Sequence, residues 1–211
     1  MKKFLKGIAV FCIPLMLMAL TACKQTPEKP GMYIEKAELS SQETDLATLL
    51  GVGENQKIFD FKLDDTVQTV QINAYQLKDG NWELIAGGGG QQFSDPRGRL
   101  ALRFDKISEG MRAAIQSEHE NGATEYTTEQ TGETPGMSRT TSMLDDLTEI
   151  RYEQEIPLAV QVCTTKDKVY SYDVTCFFTP EEYEKYDYEE VYAITILFSQ
   201  KTIRELELDQ S

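Results

Sequence analysis

Val191-Tyr192-Ala193-Ile194-Thr195-Ile196-Leu197-Phe198-Ser199 is the stretch that decides the fold. Tyr192, Ile194, Ile196 and Phe198 fill one alternating set, and Val191, Ala193 and Leu197 fill the other. Side chains along a strand point to opposite faces in turn, so apolar residues in both sets require cover on both faces. The segment therefore belongs in the middle of a sheet, with Ile194 and Leu197 expected on opposite, covered faces.

Outward from this strand, the dominant period in the chain is two. Phe59, Phe61 and Leu63 alternate with Asp60 and Lys62, and Val70, Ile72 and Ala74 share a face within Val67 to Lys78. Leu100, Leu102 and Phe104 repeat the pattern after an Asp95-Pro96-Arg97-Gly98 turn. Each run reads as a strand with one wet face. Asp79-Gly80 between two such runs signals a hairpin, because a type I′ turn needs positive φ at both central residues. Glu149 to Thr164 and Val169 to Phe178, joined by Lys166-Asp167-Lys168, read as two further strands, and Met32 to Leu39 as a first one. Gly87 to Gly90 cannot hold a strand interior and reads as irregular backbone at a sheet edge. Met111, Ala113 and Ile115 fit a strand, with a helix over Glu109 to Glu118 as the alternative.

Helix signals are short. Ser40 and Glu43 fit a capping box, with Leu46, Leu49 and Leu50 on one side and Gly51 as the stop. Thr179-Pro180-Glu181-Glu182 has a cap, a proline at the first helical position and a glutamate to reach back. Ser142 to Leu147 allows a single turn. Glu120 to Arg139 is nearly all polar and is expected to be a long mobile loop. The sum is a mainly β chain: a single antiparallel β-sandwich of about eight or nine strands with short helices over residues 32–204, followed by a charged tail, 205–211, that frays. A small α+β domain is the alternative.

The N-terminus carries a different message. Lys2, Lys3 and Lys6 precede the apolar run Ile8 to Leu20, and Leu20-Thr21-Ala22-Cys23 closes it. At roughly 13 residues the run is shorter than the ~20 a spanning helix needs, and the order of basic start, apolar middle and small residues is that of an export signal. The last four residues resemble the lipobox of bacterial lipoproteins. That resemblance implies cleavage of residues 1–22 as a signal peptide, diacylglyceryl modification of the Cys23 thiol and acylation of the new N-terminus. Residues 23–31, with Pro27, Pro30 and Gly31, then form a lipidated tether. Two acyl chains suffice for stable attachment. The expected localisation is the outer side of a cell membrane, held by Cys23.

Cleavage removes three lysines and no acid, so the formal charge moves from −14 to −17. Such a chain is repelled by phosphate backbones, which excludes nucleic acid as an expected partner. It also leaves the lipid on Cys23, rather than the protein surface, to make the membrane contact. Of four cysteines only Cys163 and Cys176 remain after Cys12 is lost with the signal and Cys23 is lipidated. Matching the apolar faces of the two strands sends them to opposite faces, so separate thiols are expected rather than a disulfide. Neither sits in a CxxC or beside a histidine, and no metal or cofactor is expected.

Catalytic signals are thin. His119 is the single histidine, at the lip of the polar loop; a Ser-His-Asp triad would have to use it, yet no GxSxG surrounds any serine. Gly87 to Gly90 lacks the helix start and Gly-Lys-Ser/Thr of a phosphate loop. Asp60, Asp64, Asp65, Asp145 and Asp146 are the candidates for a hydrolytic carboxylate pair or a Ca²⁺ site, against a solvated acidic face. Tyr183, Tyr186, Tyr188 and Tyr192, among Glu181, Glu182, Glu184, Glu189 and Glu190, suit a recognition surface, against the simpler role of seating the short helix. The expectation is a non-enzymatic envelope protein binding a surface ligand or protein; a carboxylate-dependent surface hydrolase and a passive spacer are the alternatives.

Overall fold

A computed structural model describes residues 29–49, 56–128 and 136–209, with side chains as far as Leu206. The expected signal peptide, Cys23 and all but the end of its tether lie outside these residues, as do Leu50 and Gly51. Twelve strands among the described residues form two antiparallel sheets. The first contains β1 (Tyr33–Lys36), β2 (Gln56–Lys62), β6 (Arg97–Arg103), β7 (Gly110–Ser117), β8 (Asn121–Thr127) and β10 (Thr148–Glu149), in the order β10-β1-β2-β6-β7-β8. The second contains β3 (Thr69–Lys78), β4 (Asn81–Ala86), β9 (Ser138–Met143), β11 (Ile156–Thr164) and β12 (Glu190–Ser199), in the order β4-β3-β12-β11-β9. A short β5 (Gly90–Gln92) also pairs with β3. The β-sandwich is thus shown, and Gly110–Ser117 is strand rather than helix.

Strand β12 lies between β3 and β11, as its composition demands. Ile194, Ile196 and Phe198 are fully buried between the sheets, with Phe59, Phe61 and Leu100 facing them from the first sheet within one core. Burying each such side chain contributes about 1.5–3 kcal/mol relative to leaving it in water. Leu197 differs from expectation: it is only half-buried, opposite Gln71, because the outer apolar cluster that takes in Val191 and Ala193 does not extend to it.

Three turn features follow the sequence. Asp79 (φ 48°) and Gly80 (φ 75°) form the β3–β4 hairpin turn. Gly87 (φ 103°) bends the chain between β4 and β5, and a Cβ there would stand 2.4 Å from the Ile72 carbonyl. The helix α1 (Ser41–Leu49) opens with its capping box, Glu43 accepting from the Ser40 amide at 2.8 Å.

Four expectations are corrected. Residues 120–139 are not one long loop: β8 and β9 occupy Asn121–Thr127 and Ser138–Met143, and only 129–135 lie outside the described residues. These are edge strands of the two sheets, so backbone pairing on one side suffices without an apolar face. Val169 to Phe178 is not a strand; it is irregular chain followed by a 3-10 helix, Val174–Phe178. Thr179 does not cap the one-turn helix α2 (Glu181–Glu184), because it already closes that 3-10 helix, and Glu182 instead meets Lys185 at 2.5 Å. The tail does not begin as frayed chain: α3 (Ile203–Asp209) starts with a Thr202–Glu205 capping box and buries Leu206. Leu46 and Leu49 of α1 are exposed.

Candidate binding surface

Neighbouring antiparallel strands need as few as two linking residues. Between β11 and β12, however, residues 165–189 travel out and return across the outer face of the second sheet. A β-bulge between Pro157 and Ala159 sets this up by shifting the phase of β11. Val160 and Val162 then face outward while Gln161 and Cys163 face the core. Gln161 is fully buried and satisfied there, accepting from the Ile107 amide at 3.1 Å and donating to the Asp105 carbonyl and the Thr141 hydroxyl.

The outward-facing valines, with Val191 and Ala193, would cost the sheet if left wet. The excursion covers them with Phe177 and Tyr183, forming a second apolar cluster that Tyr75, Leu77 and Trp82 complete. Trp82 stacks on Phe177 at 4.9 Å and donates its indole N–H to the Phe177 carbonyl at 2.8 Å. The ends are clamped as well. Glu189 accepts from the hydroxyls of Thr164 and Thr165, each at 2.5 Å, and these bonds hold its carboxyl down at about 2. Lys166 donates to the carbonyls of Tyr186 and Asp187.

A surface fixed in this way displays aromatic rings to solvent. Tyr170 and Tyr186 are 50% and 38% exposed and lie 4.4 Å apart between ring centroids. Tyr186 stacks on Tyr188 at 5.8 Å, and Tyr188 meets Tyr172 edge-on at 6.1 Å. Burial raises the Tyr172 phenol above its usual value, so it stays a neutral donor. Beside the rings, a groove of about 930 Å³ runs to the open edge of β9, bordered by Tyr172, Asp173, Thr141, Met143, Asp145 and Asp146.

The tyrosines singled out from sequence divide by role. Tyr183 is buried and seats α2, Tyr192 is buried on the core side of β12, and Tyr186 and Tyr188 belong to the surface. Tyr170, Trp82, Phe177 and Phe178 join this surface without standing out in the sequence. The adjacent pair Phe177-Phe178 breaks the alternation that made Val169 to Phe178 resemble a strand, and was the available signal.

The other candidates are placed apart. Asp60 pairs with Arg99 at 2.7 Å, Asp64 accepts from the Tyr152 hydroxyl, and Asp145 meets Lys57 at 2.9 Å and Lys36 at 3.2 Å. Asp65 and Asp146 are exposed. Asp60 and Asp145 are neutralised by different cations and Asp64 is held by hydroxyls elsewhere, and the described residues hold no group of three His, Cys, Asp or Glu able to ligate a metal. His119 lies in the β7–β8 turn, with Nδ1 2.9 Å from Asp95, and Asp95 raises its pKa. Ser117 gives its hydroxyl hydrogen to Asp95 at 2.5 Å, not to the imidazole, so this is a turn clasp and not a nucleophile with its base. Cys163 faces the core and Cys176 the outer cluster, and no disulfide joins them. Comparison with known protein families, characterised proteins and solved structures finds no match.

Proposed function

We propose that this chain is an exported, lipid-anchored envelope protein whose β-sandwich binds a ligand or partner at the cell surface without converting it. Cys23 carries the anchor and the 24–31 segment spaces the domain from the bilayer. The observation that carries the binding half is the clamped 165–189 excursion. It spends a connection far longer than the topology needs on a surface that leaves Tyr170 and Tyr186 in water. Tyrosine presents area and a hydrogen-bonding tip with only two side-chain torsions to order, which suits recognition. A passive spacer has no use for such a surface.

Sedimentation in detergent with envelope fragments stripped of lipid, so that the Cys23 anchor has nothing to enter, tests the reading. The protein is expected to pellet with them saturably, and Tyr170→Ala/Tyr186→Ala to remain in the supernatant. Pelleting that is unaffected by the double substitution overturns it.

A further inference from the structure

A second surface lies on the far side of the molecule, on the outer face of the first sheet. Its side chains are those out of phase with the buried Phe59, Phe61, Leu100 and Leu102. The registers arrange them in rows across the strands. Tyr33 stands opposite Lys62, and Lys62 opposite Arg97; in the next row Glu35 faces Asp60, Asp60 faces Arg99 and Arg99 faces Gln116. Further along, Arg103 stands opposite Arg112.

In a chain of net charge −14, four of the seven arginines, Arg97, Arg99, Arg103 and Arg112, are gathered on this one face. Two cross-strand pairs, Lys62 with Arg97 and Arg103 with Arg112, set like charges directly opposite each other, an arrangement that destabilises a sheet. Acids are abundant enough to neutralise all of them. Arg99 is neutralised, by Asp60 and by Glu43 of α1, each at 2.7 Å. The side chains of Lys62 and Arg97 make no ion pair among the described residues. Tyr33, Lys62, Arg97, Arg99 and Gln116 line a groove of about 430 Å³, with Lys29 4.9 Å above the Tyr33 ring.

We propose that this groove binds an acidic sugar of an anionic glycan. Its carboxylate or phosphate would meet Lys62 and the bidentate fork of Arg97, for which arginine geometry is suited. Its hydroxyls would meet Glu35, Asp60 and Gln116. The carboxylate row decides the class: it accepts from hydroxyls but repels a polymer whose surface is phosphate alone. The groove is independent of the tyrosine surface and of the anchor on Cys23.

Isothermal titration of the full chain in detergent micelles tests it, with a galacturonic acid tetramer, the neutral galactose tetramer and inorganic polyphosphate as probes. The uronic tetramer is expected to bind at least tenfold more tightly than either of the others. Lys62→Gln and Arg97→Gln should each weaken it at least fivefold, while Arg151→Gln, at an exposed arginine paired with Glu149, leaves it unchanged. Arg97→Gln should keep or raise the denaturation midpoint, which separates lost binding from lost folding. Absent binding, equal binding of the neutral tetramer or of polyphosphate, or indifference to Arg97→Gln overturns the proposal.

Discussion

The indole of Trp82, on an edge strand, holds the carbonyl of Phe177, far along the chain, at 2.8 Å while stacking on its ring. This contact, with the packing of Phe177 and Tyr183 on the sheet, ties the 165–189 excursion down. Trp82→Phe retains a stacking ring and loses the hydrogen bond, a change of about 0.5–1.5 kcal/mol. The expected outcome is faster proteolytic cleavage within 165–189 at nearly unchanged global stability. Equal cleavage rates would mean that the excursion is held elsewhere.

The pH dependence of the excursion follows from Glu189. Its carboxyl is depressed from 4.5 to about 2 by the Thr164 and Thr165 hydroxyls, so its contribution is complete above 4.5 and is lost as pH falls toward 2. Trp82 is the sole tryptophan and reports on the seat. Its emission should shift to the red across that window, and Glu189→Gln should flatten the shift.

The central strand now makes an asymmetric prediction. Ile194 is fully buried, and Ile194→Ala should cost about 2–5 kcal/mol by denaturant titration. Leu197, half-buried beside Gln71, should lose less than half as much on truncation. Equal losses would require Leu197 to be covered.

Anchoring is a separate matter. Cys23→Ser should abolish incorporation of labelled fatty acid and release the protein from the membrane fraction. A variant that stays membrane-bound, beside a wild type that takes up no label, removes the lipobox reading.

Much of the fold was legible because local chemistry and global packing agree. Asp79-Gly80 adopts the backbone its turn needs, Ser40 and Glu43 close their box, and β12 sits where apolar residues on both faces place it. The same box at Thr202 and Glu205 is equally readable, and it outweighs the charge of the tail that suggests frayed chain. β8 could not be found by periodicity, since an edge strand gains its place from backbone pairing to β7 and Asn121–Thr127 has little apolar alternation. The binding surface was half visible. Tyr186 and Tyr188 stand out in sequence, but the bulge that turns Val160 and Val162 outward is marked only by Pro157, which fits an edge or a strand start equally well, and without it the need for a covering excursion is hidden.

A binding role for the tyrosine surface requires that it be occupied in the cell. A photoreactive benzophenone residue placed at position 170, and separately at 186, reads that occupancy directly when cells are irradiated and the peptides are weighed. The same residue at position 49, in the exposed Leu49 of α1, is the control. Adducts of one recurring mass are predicted from positions 170 and 186 and not from 49; no adduct from either, or the same adduct from 49, would contradict a binding role for this surface.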